Sequence, residues 1–147
     1  MRQLIMPHRS LESIRPHLRY EPISVRGTIL EKTPLVEATT AGGLYEGRWT
    51  GVTRAWEVPR LGYVQLDESE YRESEGSITF VQDWLNTEVN GRPASIQTTR
   101  ERRGKALVSL GWVTDSTVFR LGLQPRDPAA VKANEESLLA LARSLGR

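Results

Sequence analysis

Hydrophobic and polar positions alternate most regularly in the last third of the chain. Ala94 to Thr99 reads as a strand, followed by a polar connection from Arg100 to Gly104. Lys105 to Val113 reads as the next strand, carrying Ala106, Leu107, Val108, Leu110, Trp112 and Val113. Thr114, Asp115 and Ser116 supply a hairpin turn. The partner strand, Thr117 to Leu123, places Phe119, Leu121 and Leu123 on one face, with Val118, Arg120 and Gly122 on a solvated or edge-like face. Period-2 alternation then gives way to a 3.6-residue stripe of Val131, Leu138, Leu141, Ala142 and Leu145. Lys132, Glu135, Glu136 and Arg143 fall away from that stripe. Asp127-Pro128 has the chemistry of a helix start and Gly146 that of a helix end. An amphipathic C-terminal helix packed on an antiparallel meander is the expected outcome.

The first two-thirds are less regular. Ser10 is placed to cap a short helix bearing Leu11, Ile14 and Leu18, which Pro16 limits to a turn or two. Residues 1–22 are therefore expected to form a weakly structured arm, and residues 23–147 a single domain. Ile23, Val25 and Ile29 suggest a strand. Ala38 to Gly43 is small and glycine-containing, which suggests a turn. Leu44 to Val58 reads as one long strand or a bent pair, with Gly47 and Gly51 marking a bulge or bend, and Pro59 ending it. Gly62 to Leu66 reads as a short strand and Asp67 to Gly76 as an acidic surface loop. Alternation returns at Ile78, Phe80, Gln82 and Trp84, and Asn90-Gly91 is a strong turn signal. The fold class implied is α+β, with about five to seven antiparallel strands and the helix on one face.

Composition narrows the possibilities. A chain of 147 residues with 38% hydrophobic content is large enough to bury one continuous core. The formal net charge of +2 is too small to suggest nucleic-acid binding unless the cations gather on one face. Cysteine is absent, which excludes disulfides, thiol nucleophiles and thiolate metal sites. No apolar run approaches the roughly 18 residues of a membrane span. The N-terminus has no signal-peptide core, so a cytoplasmic location is expected if the chain is complete, and an extracytoplasmic one if an export signal was removed.

Few residue constellations carry chemistry. Both histidines, His8 and His17, fall in the N-terminal arm without a compact set of further ligands and read as surface groups. The dense acidic cluster is Asp67, Glu68, Glu70, Glu73 and Glu75, with Arg72 among them. It lacks a calcium-loop pattern. Its bland reading is a solvated loop, and its functional one a pair of catalytic carboxylates for a small-molecule enzyme. Serine-nucleophile and phosphate-loop motifs are missing. Arg100, Arg102, Arg103 and Lys105 put four cations in six residues. They read either as a soluble hairpin tip or as a contact for nucleic acid or an anionic surface. Four tryptophans, Trp49, Trp56, Trp84 and Trp112, are many for this length. If two of them lie exposed near Tyr45 or Tyr63, they form a ligand or peptide groove; otherwise they belong to the core.

The C-terminal sequence also carries a resemblance. Asn90-Gly91-Arg92-Pro93-Ala94, the strand ending Leu110-Gly111-Trp112, Val118 to Leu123 and the terminal Leu138 to Leu145 helix resemble the ending of small bacterial domains of the PsbP/Mog1-like kind. Related endings occur in extracytoplasmic lipoprotein and anti-sigma-associated domains and in type VI secretion effector chaperones. The resemblance spans residues 90–147. It implies an antiparallel sheet with helices on one face and a mostly non-catalytic role. The expected function is a non-enzymatic module that binds a protein or peptide through a sheet face, in an accessory, chaperone or regulatory role. The candidate contacts are Trp49, Trp56, Tyr63, Trp84, Arg100, Arg102 and Arg103. No cofactor and no metal are expected, and nucleic acid is a disfavoured partner.

Overall fold

The computed structural model describes residues 10–71 and 85–146. Among them, seven strands form one antiparallel sheet: β1 (Leu35–Tyr45), β2 (Arg48–Val58), β3 (Gly62–Glu70), β4 (Thr87–Val89), β5 (Arg92–Arg100), β6 (Ala106–Val113) and β7 (Thr117–Pro125). Their spatial order is β1-β2-β3-β7-β6-β5-β4. Two local meanders, β1–β3 and β4–β7, therefore meet along a single non-local ladder, β3 against β7. A short helix, α1 (Leu11–Ile14), and a 3-10 turn (Arg15–His17) precede the sheet, and α2 (Val131–Ser144) follows it.

Register explains which side of the sheet is buried. Trp56, Val64, Leu123 and Val108 lie in one cross-strand row. Arg54, Leu66, Leu121, Leu110 and Ile96 form the next, and Val52, Glu68, Phe119, Trp112 and Ala94 the third. The aliphatic and aromatic members of these rows are all buried. Trp112 stacks on Phe119 with ring centroids 5.1 Å apart. Leu138, Leu141 and Ala142 of α2, and Leu145 just after it, belong to the same buried cluster. Full burial of one such leucine is worth about 1.5–3 kcal/mol, so these side chains alone rival a domain's net stability.

Residues 10–19 of the expected loose arm pack against the sheet, and residues 1–9 lie outside the described residues. Ser10 caps α1 through its hydroxyl, which accepts the Ser13 N–H at 3.2 Å. Ile14 and Leu18 are buried with Ala38 and Val52 in a second cluster. Arg19 N–H donates to the Trp49 carbonyl at 2.9 Å, extending the β2 edge. The expected strand at Ile23 to Ile29 is instead a strap of turns. Its alternation was too short to compete with the turn built by Thr28, whose hydroxyl donates to the Val25 carbonyl at 2.7 Å.

Three further expectations are corrected. Ala38 to Gly43 is strand rather than turn: β1 runs through it, with a register shift between Ala41 and Leu44 where Gly42 takes φ +76. Asp67 to Glu70 continues β3 rather than opening a loop. α2 starts at Val131, three residues later than Asp127-Pro128 suggested. Asp127 builds a turn instead, its carboxylate accepting the Ala129 N–H at 3.2 Å and its carbonyl the Asn134 amide at 2.9 Å. The Asn90-Gly91 turn forms as read, both residues at positive φ. The expected strand from Ile78 to Trp84 lies outside the described residues.

Gly62, where β3 begins, has φ +134, and a Cβ there would lie 2.1 Å from the Gln124 carbonyl oxygen. Gly62→Ala is therefore expected to lower stability by more than about 1 kcal/mol, read as a drop in the urea midpoint at constant slope. Gly47→Ala, at φ +81 with open space around it, has only the backbone conformation to oppose it and should lose less.

Candidate functional site

Strand alternation splits the acidic stretch between the two faces of the sheet. Glu68 and Glu70 are buried on the core face, while Asp67 lies on the opposite face and accepts the Thr53 hydroxyl at 2.6 Å. Glu73 and Glu75 are outside the described residues. Glu68 is paired with the buried Arg54 across the β2–β3 ladder at 2.5 Å. Both groups also hold the strap: the Ile23 N–H donates to the Glu68 carboxylate at 2.9 Å, and Arg54 donates to the Ile23 carbonyl at 2.8 Å. The Arg54 guanidinium lies 5.7 Å from the Trp56 ring centroid. Burial raises the Glu68 carboxyl above the usual carboxylate range, opposed by Arg54 and the Ile23 N–H. This carboxylate is engaged on both oxygens and serves as a clamp on the strap. Among the described residues of the acidic stretch, the Glu68 and Glu70 side chains thus lie on one face of β3 and that of Asp67 on the other.

Among the described residues, both helices contribute their buried side chains to the core face, and no helix or strand covers the opposite face. That open face carries Tyr63, Gln65 and Asp67 of β3, Arg120 and Gln124 of β7, and Leu107 and Ser109 of β6, all exposed or half-buried. At the end where β3 begins, it holds a groove of about 470 Å³. Cross-strand pairing sets Glu57 opposite Tyr63 and Tyr63 opposite Gln124. Leu107 joins them in the lining and stays 42% exposed, so it offers apolar surface to a ligand there. Glu57 and Glu101 bring carboxylates to the rim, and Lys105 and Arg126 bring cations. Partial burial raises the Tyr63 phenol pKa, helped by the negative fields of Glu37 and Glu57. Tyr63 is therefore a neutral hydroxyl at physiological pH, able to donate or accept.

The residues singled out from sequence separate accordingly. Trp56 is 2% exposed and belongs to the core, so it cannot contact a partner. Its place on the face shared by Val52, Val58, Val64 and Leu66 decides this. Trp112 is likewise core. Trp49 is half-buried against the Ile14–Leu18 cluster, where it bridges Leu18. Trp84 lies outside the described residues. Tyr63 is in the groove, and so is the basic loop through Glu101 and Lys105, while Arg100 donates to the carbonyl of the lining residue Pro128 at 2.9 Å. Arg102 and Arg103 are exposed at the hairpin tip. The basic loop is interleaved with Glu101 and faces Glu57 across the groove, which dilutes its positive field. His17 is exposed on the 3-10 turn, and His8 is outside the described residues.

Sequence reading missed Arg54 and Glu68 as a pair, and Leu107, Gln124 and Arg126 as groove residues. For the pair a signal existed: Arg54 interrupts Val52, Trp56 and Val58, and Glu68 follows Val64 and Leu66, each a charge at an otherwise apolar phase of its strand. For the groove none existed, because its lining comes from four separate parts of the chain.

No helix among the described residues is long and apolar enough to cross a membrane. No group of three or more potential metal-binding side chains occurs among them. Comparisons with protein-family models, with curated proteins and with solved structures gave no match.

Proposed function

We propose that this chain is a non-enzymatic binding module that recognises an extended segment of another protein on the open face of its sheet. The core-facing side is closed by the strap and by α2 as a lid, which leaves the other side for recognition. One observation carries the reading: an exposed leucine and a half-buried tyrosine share a groove rimmed by charges of both signs. Such a groove fits an apolar residue flanked by charged ones, with Lys105 and Arg126 meeting a carboxylate and Glu57 and Glu101 meeting a cation. The weak likeness to PsbP/Mog1-like domains, a mostly non-catalytic group, agrees with this reading, as does the separation of Asp67 from Glu68 and Glu70.

A displayed library of random peptides tests it. The wild-type protein is expected to enrich sequences with an apolar residue between opposite charges. Leu107→Asp and Tyr63→Ala should each weaken the enriched peptides by about tenfold or more, the effect of losing one central anchor. Both positions lie on the uncovered face, so folded variants are expected by circular dichroism. Absence of any enrichment, or wild-type affinity in both variants, would sink the reading.

A further inference from the structure

A second groove, of about 660 Å³, lies between the strap, the β2–β3 turn and α2. Its chemistry differs from that of the open face. Ile29, Val58, Leu61, Ala140 and Leu141 give it aliphatic walls, and Ile29 is 53% exposed. Hydroxyl groups also line it, but three of them are engaged with the chain's own carbonyls. Thr28 donates to Val25, Thr33 to Ile29 and Ser144 to Leu141, each at 2.7 Å. A ligand gains no hydrogen from those three groups, and the walls offered to it are mainly apolar.

Shape and charge then narrow the ligand. The α2 lining positions 137, 140, 141 and 144 share one side of the helix over two turns, roughly 10 Å. Three of these residues are small, so the groove is a track along the helix. Arg60 stands on its rim at the β2–β3 turn, exposed and in the left-handed region at φ +70. Among the described residues it has no hydrogen-bonded or ionic partner. Arg60 is the one charged residue of the lining. The strap's own carboxylate, Glu31, accepts the Gly27 N–H at 2.9 Å. Glu136, next to Ser137, is the one acidic neighbour on the helix side. Among the described residues, the lining thus holds one cation and no carboxylate around an apolar track.

We propose that this groove binds a free single-chain carboxylate amphiphile of the fatty-acid class, its chain lying along α2 and its carboxylate paired with Arg60. The match is one of charge complementarity joined to an aliphatic track of matching form. A guanidinium pairs bidentately with a carboxylate, and such charge-assisted bonds are the strong ones.

Calorimetric titration with dodecanoate, kept below its micelle concentration, tests the assignment. Saturable 1:1 binding is expected. Arg60→Gln, at an exposed turn that should fold normally, is expected to weaken it by at least about tenfold, the effect of losing a charged hydrogen-bonding partner. Dodecanol should bind the wild type at least as poorly. Ala140→Trp should block the track, and NMR shift changes on titration should centre on Ile29 and Ala140. Leu44→Ser, which alters an exposed leucine on the distant β1–β2 hairpin, should leave binding intact. Unsaturable binding, equal affinity in Arg60→Gln, or equal affinity for dodecanol would overturn the proposal. So would binding confined to anionic phospholipid vesicles or to an acidic amphipathic peptide. Tyr63→Ala is expected to bind dodecanoate normally, which separates this groove from the one on the open face.

Discussion

Replacing Glu68 by Leu is expected to lower stability by about 3–5 kcal/mol, because it strands the Arg54 guanidinium in a site with almost no access to water. Arg54 is 2% exposed, and its Nε already lacks a hydrogen-bond partner among the described residues. The Ile23 N–H would lose its acceptor in the same step. The double replacement Arg54→Met with Glu68→Leu should recover most of that loss. It removes both charges, so neither desolvation penalty remains, and apolar residues of similar volume in place of a buried ion pair are often neutral or stabilising. Urea unfolding of wild type, Glu68→Leu and the double variant decides the matter. If Glu68→Leu is too unstable to purify, the double variant still gives the answer. A double variant as unstable as the single one would mean that the pair's hydrogen bonds to the strap, and not its desolvated charge, dominate this corner.

A loss of about 3–5 kcal/mol is also expected for Trp56→Ala, from the cavity left by a large buried aromatic side chain. Trp56 sits in a row with Val64, Leu123 and Val108, where no rearrangement of a surface loop can fill the space. The measurement that matters is peptide binding at a urea concentration where the variant remains folded. Binding there should equal that of wild type. Weaker binding by fully folded Trp56→Ala would place this residue in the recognition surface and contradict its burial. Tyr63→Ala should behave in the opposite way, with little change in the unfolding midpoint and a large change in binding.

Sequence alone revealed the C-terminal third well, for a physical reason. β5, β6 and β7 are joined by short connections, so each strand's pairing partner is its neighbour in the chain and alternation reports the buried face directly. Phe119, Leu121 and Leu123 were legible in this way, as was the Asn90-Gly91 turn. Upstream, the deciding interactions are non-local. Ala38 to Gly43 has turn-like composition, yet β2 pairs along it and the register shift at Gly42 absorbs the irregularity. Asp67 to Glu70 has loop-like polarity, yet β7 pairs with it and Arg54 neutralises Glu68. Asp127-Pro128 carries cap chemistry but forms a separate turn ahead of the helix. The open-face groove was visible only in part: Tyr63 and the loop from Arg100 to Lys105 were singled out, but their proximity depends on the β3–β7 ladder.

That ladder also concerns how the chain reaches its native state. Gly62 pairs with Pro125 and Glu70 with Thr117, so the two meanders are joined only after the whole of β4 to β6 has been bridged. Loop-closure entropy is concentrated in this one seam, whereas the hairpins on either side close over short distances. Leu66 and Leu121, facing each other at its middle, are the positions where truncation should slow refolding more than it speeds unfolding, if the seam forms in the rate-limiting step. The largest loop-closure cost of this topology thus falls on the β3–β7 seam.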